Sequence, residues 1–166
     1  MVKYILYLFV TVCFFASCST TEYAQSAISL KGKRVGIIGF DMTAIKKKQQ
    51  LNPKDTICFC IGQSISDAVI PSLLKAGLII LPISHDKKVS LEENIAIADS
   101  LKLEYLLIGN GRVSIIGQSN FIEQLNVKMI NVKSRESHMA ASFSGVSIRP
   151  IKAGTLVGKK IAKSLK

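Results

Sequence analysis

The stretch SLEENIAIADSLKLEYLLIG, residues 90–109, joins a helix to a buried strand and sets the fold class. Ser90 and Glu93 have the spacing of a capping box, in which the serine accepts from a free amide and the glutamate reaches back. The helix that follows has one apolar face, formed by Leu91, Ile95, Ala98 and Leu101. The apolar residues 105–108 then predict a buried strand that leads into Gly109-Asn110-Gly111.

Upstream of this stretch the chain also alternates between strand and helix. Residues 34–40 (RVGIIGF) and residues 78–82 predict two buried strands. Between them we expect a polar loop containing Lys46-Lys47-Lys48, and then a helix over about residues 64–75, with an apolar stripe of Ile65, Val69, Leu73 and Leu74. Pro71 should kink or break this helix, and Gly77 should provide its left-handed end.

Downstream, residues 122–144 predict a hairpin that turns at Lys133-Ser134-Arg135-Glu136. The last helix should span about residues 151–165 and bury a stripe of Ala153, Val157, Ile161 and Leu165. The order strand, helix, strand, helix, strand, hairpin, helix predicts a single α/β sandwich with a mixed sheet and flanking helices.

The first eighteen residues have the order of a bacterial lipoprotein export signal. Lys3 gives a positive start, residues 4–15 form an apolar core, and the small residues Ala16-Ser17 precede Cys18. The apolar run is shorter than the about 20 residues of a membrane span. We therefore expect a signal peptide over residues 1–17 and a diacylglyceryl group on Cys18. An ordinary secretory signal and an uncleaved anchor are the alternatives, and all three place the body outside the cytoplasm.

The rest of the chain divides into a tether and one domain. Residues 18–31, rich in Ser, Thr and Ala, predict a flexible tether, and residues 32–166 are long enough for one globular domain. Ser19 replaces the aspartate that is typical of inner-membrane retention in enterobacteria. We therefore expect the domain to be anchored to the outer membrane, on its periplasmic face.

The charge is strongly positive, with 22 Lys+Arg against 11 Asp+Glu and a net charge of +11. Removal of the signal loses only Lys3, so the mature chain carries 21 − 11 = +10. Outside the cytoplasm nucleic acid is not the expected partner. Lipid headgroups, lipopolysaccharide and cell-wall polymers are the polyanions present there, and a spread charge can also serve solubility alone.

The last helix carries a row of lysines. Lys152, Lys159, Lys163 and Lys166 share one helical face, with Lys160 beside them, opposite the apolar stripe. A solvated face is one interpretation, since lysines suit the negative end of a helix. A docking surface for an acidic partner or anionic headgroups is the other.

Few residues have the pattern of a catalytic or metal site. Cys58 and Cys60 lie in an apolar run, where cysteine packs as a small hydrophobe, and a disulfide between them is the alternative. A zinc site would need two further ligands, and His85 and His138 are the only histidines.

No nucleophile elbow, zinc-protease motif or P-loop occurs. His85 beside Asp86 could act as a base, but an exposed loop histidine is the simpler interpretation, and His138 should face outward. Asp67 has no evident partner, and the adjacent Glu92 and Glu93 suit a helix start better than a cleft. The Gly36-Ile37-Ile38-Gly39 and Gly109-Asn110-Gly111 segments favour tight strand packing over phosphate binding. We therefore expect no enzyme, no metal and no cofactor beyond the lipid.

The segments 62–77 (GQSISDAVIPSLLKAG) and 96–109 (AIADSLKLEYLLIG) resemble the curli-secretion lipoprotein superfamily (CsgG-like). In that group a helix with a D-A-L-like start ends in a glycine, and a helix ending in an "lgvdyll-G" pattern enters a central strand. The similarity covers about residues 32–166. The channel-forming members carry extra amphipathic hairpins for which no segment remains here, so the chain is similar to the compact LpoB-like branch that activates penicillin-binding proteins.

The resemblance implies an anticodon-binding-domain-like α/β fold and a function in binding rather than catalysis. The expected function is that of an envelope lipoprotein that assembles or regulates an envelope complex, such as a cell-wall synthase, a secretion assembly or a motility structure. A homo-oligomeric secretion or scaffold ring is the alternative, and a small envelope hydrolase using His85 is the third hypothesis.

Overall fold

The structure, a computed structural model, describes residues 23–25, 30–46, 49–51, 56–83, 89–116 and 118–165. These residues form eight strands: β1 (Tyr23–Gln25), β2 (Arg34–Ile38), β3 (Asp41–Lys46), β4 (Gln49–Leu51), β5 (Ile79–Ile83), β6 (Tyr105–Ile116), β7 (Ser119–Asn131) and β8 (Ser137–Ile148). They also form three helices: α1 (Thr56–Lys75), α2 (Leu91–Ser100) and α3 (Pro150–Ser164).

All eight strands belong to one mixed sheet, as the alternation of elements predicted. Six of them lie in the order β1-β8-β7-β6-β2-β5. Strand β2 is parallel to both β5 and β6, whereas β6, β7, β8 and β1 pair antiparallel. Strand β3 continues beyond β2 in parallel pairing with β6, and β4 pairs antiparallel with β3.

The helices cover the two faces of the sheet unequally. The larger core lies under α1 and α3 and includes Leu73, Leu107 and Ile161. The smaller core lies under α2 and joins Ile95 and Ala98 to the sheet. Helix α1 contacts β2, β3 and β5, and α3 contacts β7 and β8. The fold is therefore an α/β sandwich, and the predicted fold class is confirmed.

Helix α1 begins eight residues earlier than the sequence predicted and absorbs the apolar run around Cys58. It also passes through Pro71 without ending, because Val69 and Leu73 on either side of the proline are both buried in the same core. Leu74, expected in the buried stripe, is 52% exposed. In the described part of the chain α1 is the helix that is long and apolar enough to cross a membrane, but here its apolar side packs on the sheet and α3.

Two further differences concern strands, and one prediction about a turn holds. The predicted loop after residue 40 contains β3 and β4, with residues 47–48 outside the described ranges. Strand β6 extends to Ile116 and forms a second hairpin with β7, which the sequence did not predict. The turn at residues 132–136 is confirmed, with Arg135 at φ 61°.

Part of the predicted tether, residues 18–31, belongs to the folded domain. Strand β1 pairs with β8, placing Tyr23 opposite Ala141 and Gln25 opposite Met139. Leu30 is completely buried in the larger core. The domain therefore begins closer to the N-terminus than residue 32, where the sequence analysis placed its start.

The predicted signals at the helix ends are confirmed. Ser90 accepts a hydrogen bond from the Glu93 amide, and the Glu93 carboxylate accepts one from the Ser90 amide. These bonds hold the pKa of Glu93 below its usual value, with the backbone amide of Ser90 as the main cause. Gly77 has φ +86° after the end of α1. In the apolar stripe of α2, Ile95 and Ala98 are buried, whereas Leu91 and Leu101 are exposed.

Candidate functional site

Two glycines set the position of α3 against α1. A Cβ on Gly154 would lie 2.4 Å from the backbone oxygen of Ile65, and one on Gly158 would lie 2.8 Å from the backbone oxygen of Val69. The two helices therefore approach at backbone distance, and the spacing Gly-x-x-x-Gly places both contacts on one face. This contact fixes the rotation of α3 and directs its opposite face away from the core.

That opposite face carries three lysines, Lys152, Lys159 and Lys163, which we call the basic strip. All three are exposed, and their spacing along α3 places them on one side of the helix. Lys160, beside them, is half-buried, and Lys166 lies outside the described residues. The structure thus brings three of the five predicted partner-binding lysines together, and their role in binding stays a prediction.

The residues around the basic strip favour the binding of a negatively charged group. No aspartate or glutamate occurs from Arg149 to the last residue of the chain. Leu156 lies among the lysines and is 37% exposed. The buried side of the same helix is apolar, with Ala153, Val157 and Ile161 in the core as predicted. Helix α3 is therefore amphipathic, and the charged residues of its outer face are all cationic.

Helix α3 lies beside the edge of the sheet that β1 occupies. The Ser164 hydroxyl, in the last turn of α3, is 3.3 Å from the sulfur of Met139. Met139 is also the residue of β8 that pairs with Gln25 of β1. The N-terminal strand and the C-terminal helix consequently meet at one edge of the molecule.

The predicted lipidation site lies outside the described residues, close in sequence to this edge. Cys18 precedes Tyr23 of β1 by five residues. Five extended residues span at most about 17 Å. The Cα atom of Cys18 therefore lies no more than about 17 Å from that of Tyr23.

The residues considered for catalysis do not form one site. The His138 ring lies 5.2 Å from the ring of Tyr105, tilted by 53°, and is half-buried, so the expected outward position is wrong. A register irregularity in the pairing of β7 with β8 falls at this residue and turns its ring toward Tyr105. Asp67 accepts a hydrogen bond from the Gln63 amide at 2.9 Å. His85 lies outside the described residues.

The two cysteines of α1 have different environments. Neither cysteine forms a disulfide; Cys58 is buried and Cys60 is exposed. Positions two apart point to different sides of a helix, so the packing role predicted for both holds for Cys58 and is wrong for Cys60. Within the described ranges, no three His, Cys, Asp or Glu side chains are grouped so that they could hold a metal ion.

A polar row on the open face of the sheet escaped the sequence analysis. The Asn126 amide donates to the Asn110 side-chain oxygen at 3.1 Å, and the Ser142 hydroxyl donates to the Asn126 oxygen at 2.8 Å. These residues are direct cross-strand partners on β6, β7 and β8. The alternation of polar and apolar residues after Asn110 was the available signal, since a half-exposed strand has that period.

Comparison with solved structures finds fold matches that cover most of the chain. PelC from Paraburkholderia phytofirmans, solved as a dodecamer of an L103M variant, aligns at a TM-score of 0.54 and 13% identity. The alignment covers 89% of this chain and 98% of PelC. A second PelC dodecamer structure aligns at 0.53. The α/β fold that the resemblance to the CsgG-like group implied is therefore confirmed.

Two further solved structures are more distant. The lipoprotein GNA1162 from Neisseria meningitidis aligns at a TM-score of 0.46 and 10% identity, over 80% of this chain and 99% of its own. The LpoB C-terminal domain from Escherichia coli aligns at 0.44 and 10% identity, over 74% and 87%. No family model and no curated protein sequence matches the chain.

Proposed function

We propose that this chain is a lipid-anchored lipoprotein of the outer membrane that acts from the periplasmic face by binding, as an assembly or regulatory factor for an envelope complex. The observation that carries the proposal is the lipoprotein signal ending at Cys18, five residues before a folded domain begins at β1. The partner is a cell-wall synthase, a secretion assembly or a motility structure. No catalysis and no cofactor other than the lipid are part of the proposal.

The chemistry of the described residues supports a binding function. Asp67 accepts a hydrogen bond from Gln63 of its own helix, Glu93 accepts one from the Ser90 amide at the start of α2, and the His138 ring contacts the Tyr105 ring at a tilt. General acid–base catalysis needs a titratable side chain within hydrogen-bond reach of the proton that it transfers to or from the substrate. The basic strip and the polar row are instead surfaces of extended shape, which suit recognition of another molecule.

Cross-linking of the lipidated protein in intact cells, followed by purification and mass spectrometry, tests the proposal. We expect reproducible links between the domain and one envelope complex. A Cys18→Ala variant produced at the same level should lose most of these links, because tethering raises the effective concentration of the domain at its partner. Links that persist unchanged in this variant would contradict the anchored mode of action.

A homo-oligomeric ring is the second candidate, favoured by the likeness to PelC, which was solved as a dodecamer. Ile79 and Leu81 of the edge strand β5 are exposed and offer apolar surface to a second copy. Strand β5 is poorly suited to pair with a further strand at this edge. The Ile79 amide donates to the Lys33 carbonyl on the inner side of β5, and the amides of successive residues point alternately inward and outward. Pro82 therefore stands where an outward amide would be needed, and proline has no amide hydrogen. Copies would thus associate through side chains.

Native mass spectrometry of the purified full chain distinguishes the two candidates. The ring predicts a single large species that an Ile79→Lys substitution dissociates. An Ile57→Lys substitution on α1, also at an exposed apolar position, serves as the matched control and should leave the species intact. A monomer at all concentrations would exclude the ring and leave the binding factor.

A further inference from the structure

We propose that the basic strip of α3 lies against the anionic phospholipid headgroups of the membrane that holds the Cys18 lipid, so that the domain has a fixed orientation on the membrane. This inference rests on the proposed function, because the lipid anchor brings the strip to the membrane. It adds a second contact, made by Lys152, Lys159 and Lys163.

The position of the strip is the first argument. The anchor enters the domain at β1, which pairs with β8, and α3 packs over β7 and β8 and reaches Met139 through Ser164. The chain from Cys18 to Tyr23 spans at most about 17 Å. A helix with its side chains is about 10 Å wide, so a membrane at the end of this short segment is within reach of the outer face of α3.

The composition of the strip is the second argument. Its charged groups are all lysines, and lysine is depleted at the centres of protein–protein interfaces, where Trp, Tyr and Arg provide most of the binding energy. A flexible, strongly hydrated ammonium group is suited to headgroup phosphates at a wet surface. Leu156 adds one partly exposed apolar side chain among the lysines, as on helices that lie in a membrane interface.

The absence of competing negative charge is the third argument. From Arg149 onward the sequence contains six Lys and Arg residues and no acidic residue. The negative end of the α3 dipole lies near Lys163, and the buried side of the helix is apolar. Each lysine near an anionic surface favours association by about fivefold, so three lysines together favour the bound orientation by about a hundredfold.

The test uses the full lipid-modified chain reconstituted into vesicles of phosphatidylcholine, with or without phosphatidylglycerol. The rate at which an amine-reactive acetylating reagent modifies each lysine is measured by mass spectrometry. With phosphatidylglycerol we expect Lys152, Lys159 and Lys163 to react at least about fivefold more slowly than in pure phosphatidylcholine, and high salt should restore their rates. Lys102 and Lys128, which are exposed on the opposite side of the sheet, should react equally in both.

A charge-reversal pair identifies the strip as the cause. Lys159→Glu should reduce the protection of Lys152 and Lys163, whereas Lys128→Glu, which changes the net charge equally, should leave it unchanged. Two results would overturn the proposal: strip lysines that react as fast as Lys102 on the anchored protein, or equal protection in both kinds of vesicle. The second result would assign the protection to another copy of the chain.

The intact mass of the purified chain reports the lipid separately. A chain without lipid whose strip lysines are still protected only by phosphatidylglycerol would contradict the anchor and support the strip. A lipidated, vesicle-bound chain without protection would support the anchor and overturn the strip.

Discussion

Phe40 is buried in the core and closely approaches both α1 and β6. A Cβ on Gly62 of α1 would lie 1.8 Å from the Phe40 backbone oxygen, and one on Gly109 of β6 would lie 2.6 Å from the Phe40 ring. Both distances are far below any contact that real Cβ atoms make. Two glycines from separate elements are therefore required for one phenylalanine to close the junction between β2 and β3.

We predict that Gly62→Ala lowers the free energy of unfolding by about 1–3 kcal/mol or more, because the new methyl group meets backbone that cannot rotate away. Ser64→Ala, two residues along the same helix at an exposed position, should change it by less than about 0.5 kcal/mol. Urea denaturation followed by circular dichroism measures both. Equal stability of the two variants would contradict the close approach of Phe40 to α1.

The sequence predicts that glycines such as Gly109 serve tight packing but does not say what they pack against. Local patterns reported the strand containing Gly36 and the capping box at Ser90, because those depend on neighbours in the chain. Position 62 requires a glycine because of Phe40, and Phe40 contacts α1 only in the tertiary fold. The contact of His138 with Tyr105 escaped for the same reason.

Between elements, the packing of α3 on α1 decides which face of α3 is free. The glycines Gly154 and Gly158 meet the backbone of α1 directly. Because a rotation of α3 would remove this fit, the packing is what holds the basic strip outward. A change that disturbs the packing of α3 on α1 would therefore also change the direction in which the lysines of the basic strip point.

We predict that Gly154→Ala costs about 1–3 kcal/mol of unfolding free energy, since the methyl group would displace α3 from Ile65. The neighbouring Thr155→Ala is the control: its hydroxyl bonds to the Ile151 carbonyl of its own helix at 2.9 Å, and its removal should change stability little. Thermal unfolding of both variants measures the difference. A Gly154→Ala protein as stable as the control would show that the helices can separate at no cost.

The starts of β2 and β6 are joined by a polar clasp. The Lys33 ammonium lies 2.6 Å from the Glu104 carboxylate, which also accepts from the Arg34 amide at 3.1 Å. The hydrogen bond from Lys33 is the main cause that lowers the pKa of Glu104, and the same bond raises the pKa of Lys33. Both side chains are about 40% exposed, so the effect on stability is small.

The sign of the pH dependence follows from these two shifts. The contribution of the Glu104 carboxylate to the free energy of unfolding is complete above its ordinary pKa of 4.5. This contribution is lost as the pH falls through the lowered pKa of the folded state. The contribution of Lys33 is complete below 10.5 and is lost as the pH rises through its raised pKa. We predict that Glu104→Gln flattens both limbs of the stability–pH profile. Chemical denaturation across this range measures it, and an unchanged acid limb would contradict the clasp.

The helix ends that the sequence predicted well are those with a local signal in the chain. Helix α2 has a capping box, and the α1 end has Gly77. The start of α1 was missed because the short apolar run at residues 57–61 has no periodicity that separates helix from strand. The hairpin of β6 and β7 was missed because the segment Gly109-Asn110-Gly111 resembled a loop. The strand signal, in which Asn110, Arg112 and Ser114 alternate with apolar residues, continues beyond that segment.

At the scale of the whole molecule, β1 sets how far the folded domain would lie from a membrane that holds the proposed lipid on Cys18. A flexible tether over residues 18–31 would allow about 50 Å of extension. Because Tyr23–Gln25 pairs with β8, only the five residues from Cys18 to β1 remain, or about 17 Å. Under the proposed lipid anchor at Cys18, the domain would lie close to the membrane, and its partners would have to approach within a short distance of the membrane surface.

The measurement that tests the central claim most directly is metabolic labelling of cells with radioactive palmitate. Cells producing the full chain are compared with cells producing Cys18→Ala at the same level, and the envelope is fractionated. We predict label on the unchanged protein, which should sediment with the outer membrane, and no label on Cys18→Ala. An unlabelled protein, or equal label on both, would contradict a lipid anchor at Cys18 and with it the account of a membrane-held binding factor.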